Sequence, residues 1–153
     1  MKCLIFDLDG TVANCDHRLG LLSKPGFSWD EFHNRAQLDT PYDHMRSLIC
    51  GLVRKFGIVY STGRPESSRA DTRNWLIHHG VPYVVYGNRE ALYMRQKGQL
   101  FSNAEVKRQN LKRILSDGWE PIMAFEDQEN CVKMYRENGV PCAHVQGDYH
   151  PYD

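Results

Sequence analysis

Cys3-Leu4-Ile5-Phe6-Asp7-Leu8-Asp9-Gly10-Thr11 is the stretch that decides the fold. Four apolar residues in an unbroken row, stopped by a carboxylate, predict a short strand buried on both faces, as in a parallel sheet. Behind it, Gly10 suits a sharp turn, and Asp7 and Asp9 place two carboxylates two residues apart. The pattern recurs. Gly57-Ile58-Val59-Tyr60, Tyr83-Val84-Val85-Tyr86, Ile122-Met123-Ala124-Phe125 and Ala143-His144-Val145 predict further strands, each flanked by glycine, proline or polar residues. Between them, helical patterns run over 45–56, 65–79, 104–116 and 128–138. Pro65 suits the first turn of its helix, and Gly80 and Gly139 suit the position just past a helix end. Strands alternating with helices predict an α/β fold of Rossmann type, a parallel sheet of about five strands with helices on both faces.

Two stretches break the alternation. Residues 13–43 carry Leu19, Leu21, Leu22, Trp29 and Phe32 among polar residues and predict a small helical, cap-like insertion after the first strand. Trp29 and Phe32 are read as its packing rather than as a stacking surface for a base. Residues 87–103 read as a long loop, and the tail Asp148-Tyr149-His150-Pro151-Tyr152-Asp153 is polar and aromatic. At 153 residues the chain suits one domain over 1–153.

Composition narrows the function classes. No apolar run approaches the roughly 18 residues of a membrane span, and Asp7 and Asp9 interrupt the N-terminal run before it could serve as a signal segment. Five cysteines without a C-x-x-C pair suggest neither a zinc site nor a disulfide framework, so a cytoplasmic location is expected. A net charge of zero argues against strong sequence-independent nucleic-acid binding. Bases nevertheless outnumber acids between Arg64 and Arg113, a pattern expected mainly of solvated helix faces and secondarily of a groove that attracts a phosphate-bearing substrate.

In open parallel sheets the ligand sits beyond the carboxyl ends of the strands. The first apolar run is followed by Asp7, Asp9 and Thr11, the second by Ser61-Thr62-Gly63-Arg64, and the fourth by Glu126-Asp127. If the central strands are neighbours, these groups converge. Two carboxylates about 4 Å apart repel by roughly 4 kcal/mol at an intermediate dielectric, so such a cluster calls for a cation. An all-oxygen donor set suits Mg²⁺. Thr62 and the backbone N–H of Gly63 can hold phosphoryl oxygens, and Lys107, opening a helix before the acidic strand end, can neutralise charge opposite the metal.

The string Phe6 to Thr11 resembles the first signature of the haloacid-dehalogenase-like (HAD) hydrolases, whose members are mainly phosphatases working through an aspartyl-phosphate. Thr62, Lys107 and Glu126-Asp127 follow in the order of that superfamily's other signatures. Ser61-Thr62-Gly63-Arg64, Ala104-Glu105-Val106-Lys107, Phe125-Glu126-Asp127 and Asn138-Gly139-Val140 are similar to the 3′-phosphatase domain of bifunctional polynucleotide kinases. The resemblance implies Asp7 as nucleophile and metal ligand, and Asp9 as acid then base, with its carbonyl on the metal. It implies Thr62 and Gly63 at the phosphoryl group, Lys107 beside the phosphoaspartate, Asp127 as a further metal ligand and Glu126 in its support. Thr11, Arg18 and Arg64 fall near the expected substrate.

The expectation is a Mg²⁺-dependent phosphomonoesterase acting at a nucleic-acid 3′ end. A nucleotidase or small-metabolite phosphatase is the alternative, and a non-catalytic binding module on the same fold is the second. No Gly-x-x-x-x-Gly-Lys-Ser/Thr pattern occurs, so a kinase or ligase partner would be a separate chain.

Overall fold

The computed structural model describes residues 1–145, and the tail from Asp148 lies outside the described residues. Chain order begins β1 (Lys2–Phe6), β2 (Ala13–Asn14), α1 (Asp16–Leu19), α2 (Trp29–Asn34), β3 (Thr40–Pro41) and α3 (Asp43–Leu52). It continues β4 (Gly57–Pro65), α4 (Arg69–His78), β5 (Leu92–Arg95), α5 (Asn103–Ser116), β6 (Glu120–Glu126), α6 (Glu129–Glu137) and β7 (Cys142–His144).

β1 is the middle strand of a five-stranded parallel sheet ordered β5-β4-β1-β6-β7. The two-residue period of a strand sends Leu4 and Phe6 into one core and Cys3 and Ile5 into another. On the first face Met45 and Ile49 of α3 and Trp75 and Leu76 of α4 close over the sheet; on the second, Leu111 and Ile114 of α5 and Val132 and Tyr135 of α6 do so. The expected Rossmann-like HAD architecture is present. Beyond β1 the chain moves first to β4 and β5, then crosses back to β6, so the strand order reverses beside β1 and opens a crevice there.

Close packing explains one glycine. A Cβ on Gly57 would lie 2.2 Å from the Trp119 ring, which is itself buried against the start of β4. α2 and α5 begin at Ser28 and Ser102, whose hydroxyls accept the N–H of Glu31 and Glu105 three residues on. α5 buries Val106, Lys107, Asn110, Leu111 and Ile114 on one stripe, and so carries Lys107 against the sheet.

Two sequence expectations fail at the sheet edge. Tyr83–Tyr86 is not a strand: Val84 and Val85 are exposed, and the edge is taken by Leu92–Arg95, inside the stretch expected to be a loop. Tyr83–Tyr86 has the higher β-propensity of the two runs, and tertiary context overrode it. Ala91, Leu92, Tyr93 and Met94 are buried, and Tyr60 N–H donates to Ala91 O at 2.8 Å. Pro65 ends β4 rather than starting α4, which follows after the 3₁₀ turn Glu66–Ser68. The insertion at 13–43 is closed at its base by the antiparallel pair β2–β3, with Ala13 opposite Pro41 and Asn14 opposite Thr40. Among the described residues no helix is long and apolar enough to cross a membrane.

Candidate active site

Asp7 stands at the end of β1, its N–H still donating across the sheet to Phe125 O at 3.0 Å. Immediately after it, Leu8 O accepts the N–H groups of Thr11, Val12 and Ala13 at 3.1, 2.9 and 2.8 Å, and Gly10 takes φ 87°, a left-handed conformation that glycine adopts without strain. The turn sends the two carboxylates of the motif into different surroundings.

Asp7 faces a lysine and two acids. Lys107 Nζ donates to Asp7 Oδ1 at 2.5 Å and also to Glu126 Oε2. Asp7, Glu126 and Asp127 are all buried, and each offers an oxygen within 4.8 Å of the others. Burial first, and then the charges of Glu126 and Asp127, push the Asp7 carboxyl well above its usual range despite Lys107. Burial likewise pushes Glu126 up to about 7, while Lys107 and the backbone N–H of Gln128 pull it back. Burial alone would lower Lys107, but Asp7 and Glu126 outweigh it and hold the ammonium charged.

This donor set fits a hard divalent cation: three buried carboxylates converge, and Lys107 pairs with two of them, Asp7 and Glu126. Within the set the roles differ. Glu126 Oε1 accepts the N–H of Asp127 and of Gln128, both at 3.1 Å, and Oε2 accepts from Lys107. Glu126 is thereby tied to the loop that aims Asp127. Thr11 Oγ1, fully buried, donates to Asp127 Oδ1 at 3.2 Å. Thr11, expected near the substrate, is hydrogen-bonded to this carboxylate.

Asp9 faces two arginines. Arg18 Nη2 donates to its Oδ1 at 2.7 Å, and Arg64 reaches Oδ1 with Nη2 at 2.5 Å and Oδ2 with Nε at 3.2 Å. Burial would raise the Asp9 carboxyl, but Arg64 and Arg18 overcome it and hold the group well below the usual carboxylate range. Both arginines are buried, and their guanidinium groups hold the Asp9 carboxylate. Behind them stands Asp39, whose side chain is 0% exposed. It accepts from Arg18 at 2.9 and 2.6 Å and from Arg64 at 3.2 Å, contacts His17 at 2.8 Å, and its carbonyl accepts from Trp75 Nε1. Sequence reasoning missed Asp39. Nothing local separates it from Asp30 or Glu31, and only closure of the insertion brings it to the arginines.

The phosphoryl-binding candidates come from an irregularity in β4. Ser61 pairs with Tyr93 and Pro65 with Arg95, so four steps along β4 span only two along β5. The surplus bulges out at Thr62–Arg64, the usual way a strand re-aims side chains beside a site. Gly63 lies close under Asn103, whose Oδ1 would be 2.5 Å from an added Cβ.

These groups share a cavity of about 910 Å³, within the range of small-molecule sites. Asp7, Asp9, Thr62, Gly63 and Lys107 line it together, and Trp29 and Phe101 belong to its wall. Trp29, expected inside the insertion, is 58% exposed, whereas Phe32 is buried as expected.

The family model of the "Polynucleotide kinase PNKP phosphatase domain" matches residues 1–149. Among solved structures, the fold is similar to a chain of the Pnkp1/Rnl/Hen1 complex, at TM-score 0.75 and 20% identity, covering 97% of this chain and 47% of that one. The chain thus spans less than half the length of that relative. The class C acid phosphatase from Bacillus anthracis matches at TM-score 0.70 and 12% identity, over 97% of this chain and 67% of that one. A HAD family enzyme from Bacteroides thetaiotaomicron, solved with magnesium and inorganic phosphate, matches at TM-score 0.53 and 13% identity over 99% and 98% of the two chains.

Proposed function

This chain belongs to the HAD phosphatase family of the polynucleotide kinase PNKP phosphatase domain, and on that footing we propose that it is a Mg²⁺-dependent phosphomonoesterase that removes a terminal phosphate, foremost a 3′-phosphate, from a nucleic-acid end. One observation carries the reading: two carboxylates two residues apart sit in opposite electrostatic settings, Asp7 against Lys107 and acids, Asp9 against Arg18 and Arg64. Neighbouring carboxyls whose proton affinities are pulled apart are suited to separate roles in one reaction.

Asp7, Asp127 and the backbone carbonyl of Asp9 would hold the ion, with Glu126 aiming Asp127. When bound, Mg²⁺ supplies positive charge to a phosphoryl oxygen. An oxygen of Asp7 forms the new bond to phosphorus as the ester P–O bond breaks, and the leaving oxygen takes a proton from Asp9. Asp9 then takes a proton from water, whose oxygen attacks phosphorus and frees Asp7 and inorganic phosphate. Thr62 and the Gly63 amide hold phosphoryl oxygens, and Lys107 keeps charge balanced around Asp7 in both steps. In the empty site the arginines hold Asp9 ionised; the substrate's own negative charge, arriving beside it, opposes them and favours the protonated acid.

Partners follow the same reading. A relative occurs in the Pnkp1/Rnl/Hen1 complex, and this chain would supply the phosphatase step beside kinase or ligase partners.

Phosphate release from matched 3′-phosphorylated and 5′-phosphorylated oligonucleotides, mononucleotides and sugar phosphates, with Mg²⁺ and with chelator, tests the reading. We expect Mg²⁺-dependent release, fastest from the 3′-phosphorylated oligonucleotide. Preference for a free nucleotide or sugar phosphate would overturn the nucleic-acid-end assignment. Undiminished release in chelator would overturn the metal's role.

A further inference from the structure

We propose that Trp29 and Phe101 are the jaws of a slot that grips the base of the nucleotide carrying the scissile phosphate, an inference that rests on the nucleic-acid-end reading. Trp29 opens α2 and is 58% exposed, and Leu100 and Phe101, which line the same cavity, are 97% and 52% exposed. Large apolar side chains left in water around the mouth of a cavity mark a place where a ligand covers them. The cavity floor holds Asp7, Asp9 and Lys107, so a group stacked at the mouth belongs to the molecule whose phosphate lies on the floor.

Each jaw is braced. The Trp29 ring stacks on His33, with centroids 5.8 Å apart and planes 22° apart, and meets Phe27 and Phe32 edge-on at 4.8 and 5.8 Å. Phe32 in turn lies 4.4 Å below the Arg18 guanidinium, the group that grips Asp9. On the other side Arg95 pins the loop. Its Nη1 donates to Gln99 O at 2.9 Å and Phe101 O at 2.6 Å, its Nη2 to Asn103 Oδ1 at 2.9 Å, and its Nε to Gly63 O at 3.1 Å. One jaw is thus tied to the proposed acid and the other to the phosphoryl loop. A base held between them is referenced to both.

The cavity wall carries both signs of charge: Arg95 donates to neutral oxygens, whereas Arg108 is paired with Glu105 and Lys133 with Glu137. Exposed aromatic rings beside Arg95 offer a stacking platform, the feature by which single-stranded nucleic acid is held without reading its sequence.

Intrinsic fluorescence gives a readout independent of turnover, because Trp75 and Trp119 are buried at 3% and 2% exposure and Trp29 alone of the three is open. The Asp7→Asn protein is titrated with a 3′-phosphorylated oligonucleotide and with the same oligonucleotide ending in an abasic sugar. Quenching is expected with the first and not the second, and is lost in Asp7→Asn/Trp29→Leu. With Asp7 intact, Trp29→Ala and Phe101→Ala should each shrink the kcat/KM ratio of base-bearing to abasic substrate by about 5- to 150-fold, the worth of one stacked base, and Trp29→Phe should restore much of it. An unchanged ratio in both alanine variants, or quenching by the abasic strand as strong as by the normal one, overturns the slot. Phosphate release from both strands at equal efficiency sinks the slot and leaves the phosphatase reading standing. Base-dependent quenching without release keeps the slot and sinks that reading.

Discussion

Lys107 Nζ lies 2.5 Å from Asp7 Oδ1, the two side chains only 3% and 6% exposed. They come from positions 100 residues apart, α5 delivering the ammonium to the end of β1. Because the same ammonium also serves Glu126, it is the hub of the buried charge in this half of the site.

Removing that hub leaves two buried carboxylates without their partner. Lys107→Met is expected to lower stability by about 3–5 kcal/mol, the usual cost of breaking a buried pair from one side. Urea unfolding measures it. The double variant Lys107→Met/Glu126→Gln should lose less than the sum of the two single changes, since the residues share one network. Strict additivity would contradict the hub.

Asp9→Asn should cost about 10²-fold to 10⁴-fold in kcat on an oligonucleotide 3′-phosphate, the typical worth of a general acid or base. The loss should be smaller on p-nitrophenyl phosphate, whose leaving group scarcely needs a proton. Equal losses on the two substrates would show that Asp9 does not protonate the leaving oxygen.

Asp39 touches both arginines that hold Asp9 and does not line the cavity. Asp39→Asn keeps the shape but strips the shared countercharge, so a stability loss of about 3–5 kcal/mol is expected from the buried pair. The acidic limb of the kcat profile should also move, because Arg18 and Arg64 then act on Asp9 undivided. A stable variant with an unshifted profile would confine Asp39 to the background.

His33 is lowered to about 4, chiefly by burial and further by Arg18 and Arg64, with Asp9 pulling the other way. The unfolded chain takes up a proton near pH 6.5 that the folded chain refuses until about 4, so stability should fall as pH drops through that window. The fall should be on the order of 1–3 kcal/mol. His33→Gln should flatten that part of a urea-midpoint profile against pH, and a parallel profile would exclude His33 as its source.

Much of this was legible in the sequence, and the reason is local. β1 shows itself because a fully buried strand has no polar residue until it ends, and the residue that ends it is Asp7. Asp127 and Lys107 could be placed by the same logic of strand ends and helix starts. The edge strand could not, since Tyr83–Tyr86 has the stronger strand composition and Leu92–Arg95 is chosen by what packs on it. Nor could Asp39 or the exposure of Trp29, which depend on how residues 13–43 close over the crevice. Order along the chain brings Thr11, Arg18 and Arg64 toward the site, but it does not say that Thr11 bonds Asp127 or that both arginines bond Asp9.

The bulge in β4 makes this strand far more sensitive to length than to identity. Conservative replacements at Ser61, Thr62 or Arg64 leave the path of the chain intact, whereas Gly63 has no room for a side chain under Asn103, and deleting one residue would turn everything after the gap to the opposite side of the sheet. Arg64 would then point toward the wrong layer of helices, and Asp9 would lose a partner without any change to its own neighbourhood in the sequence.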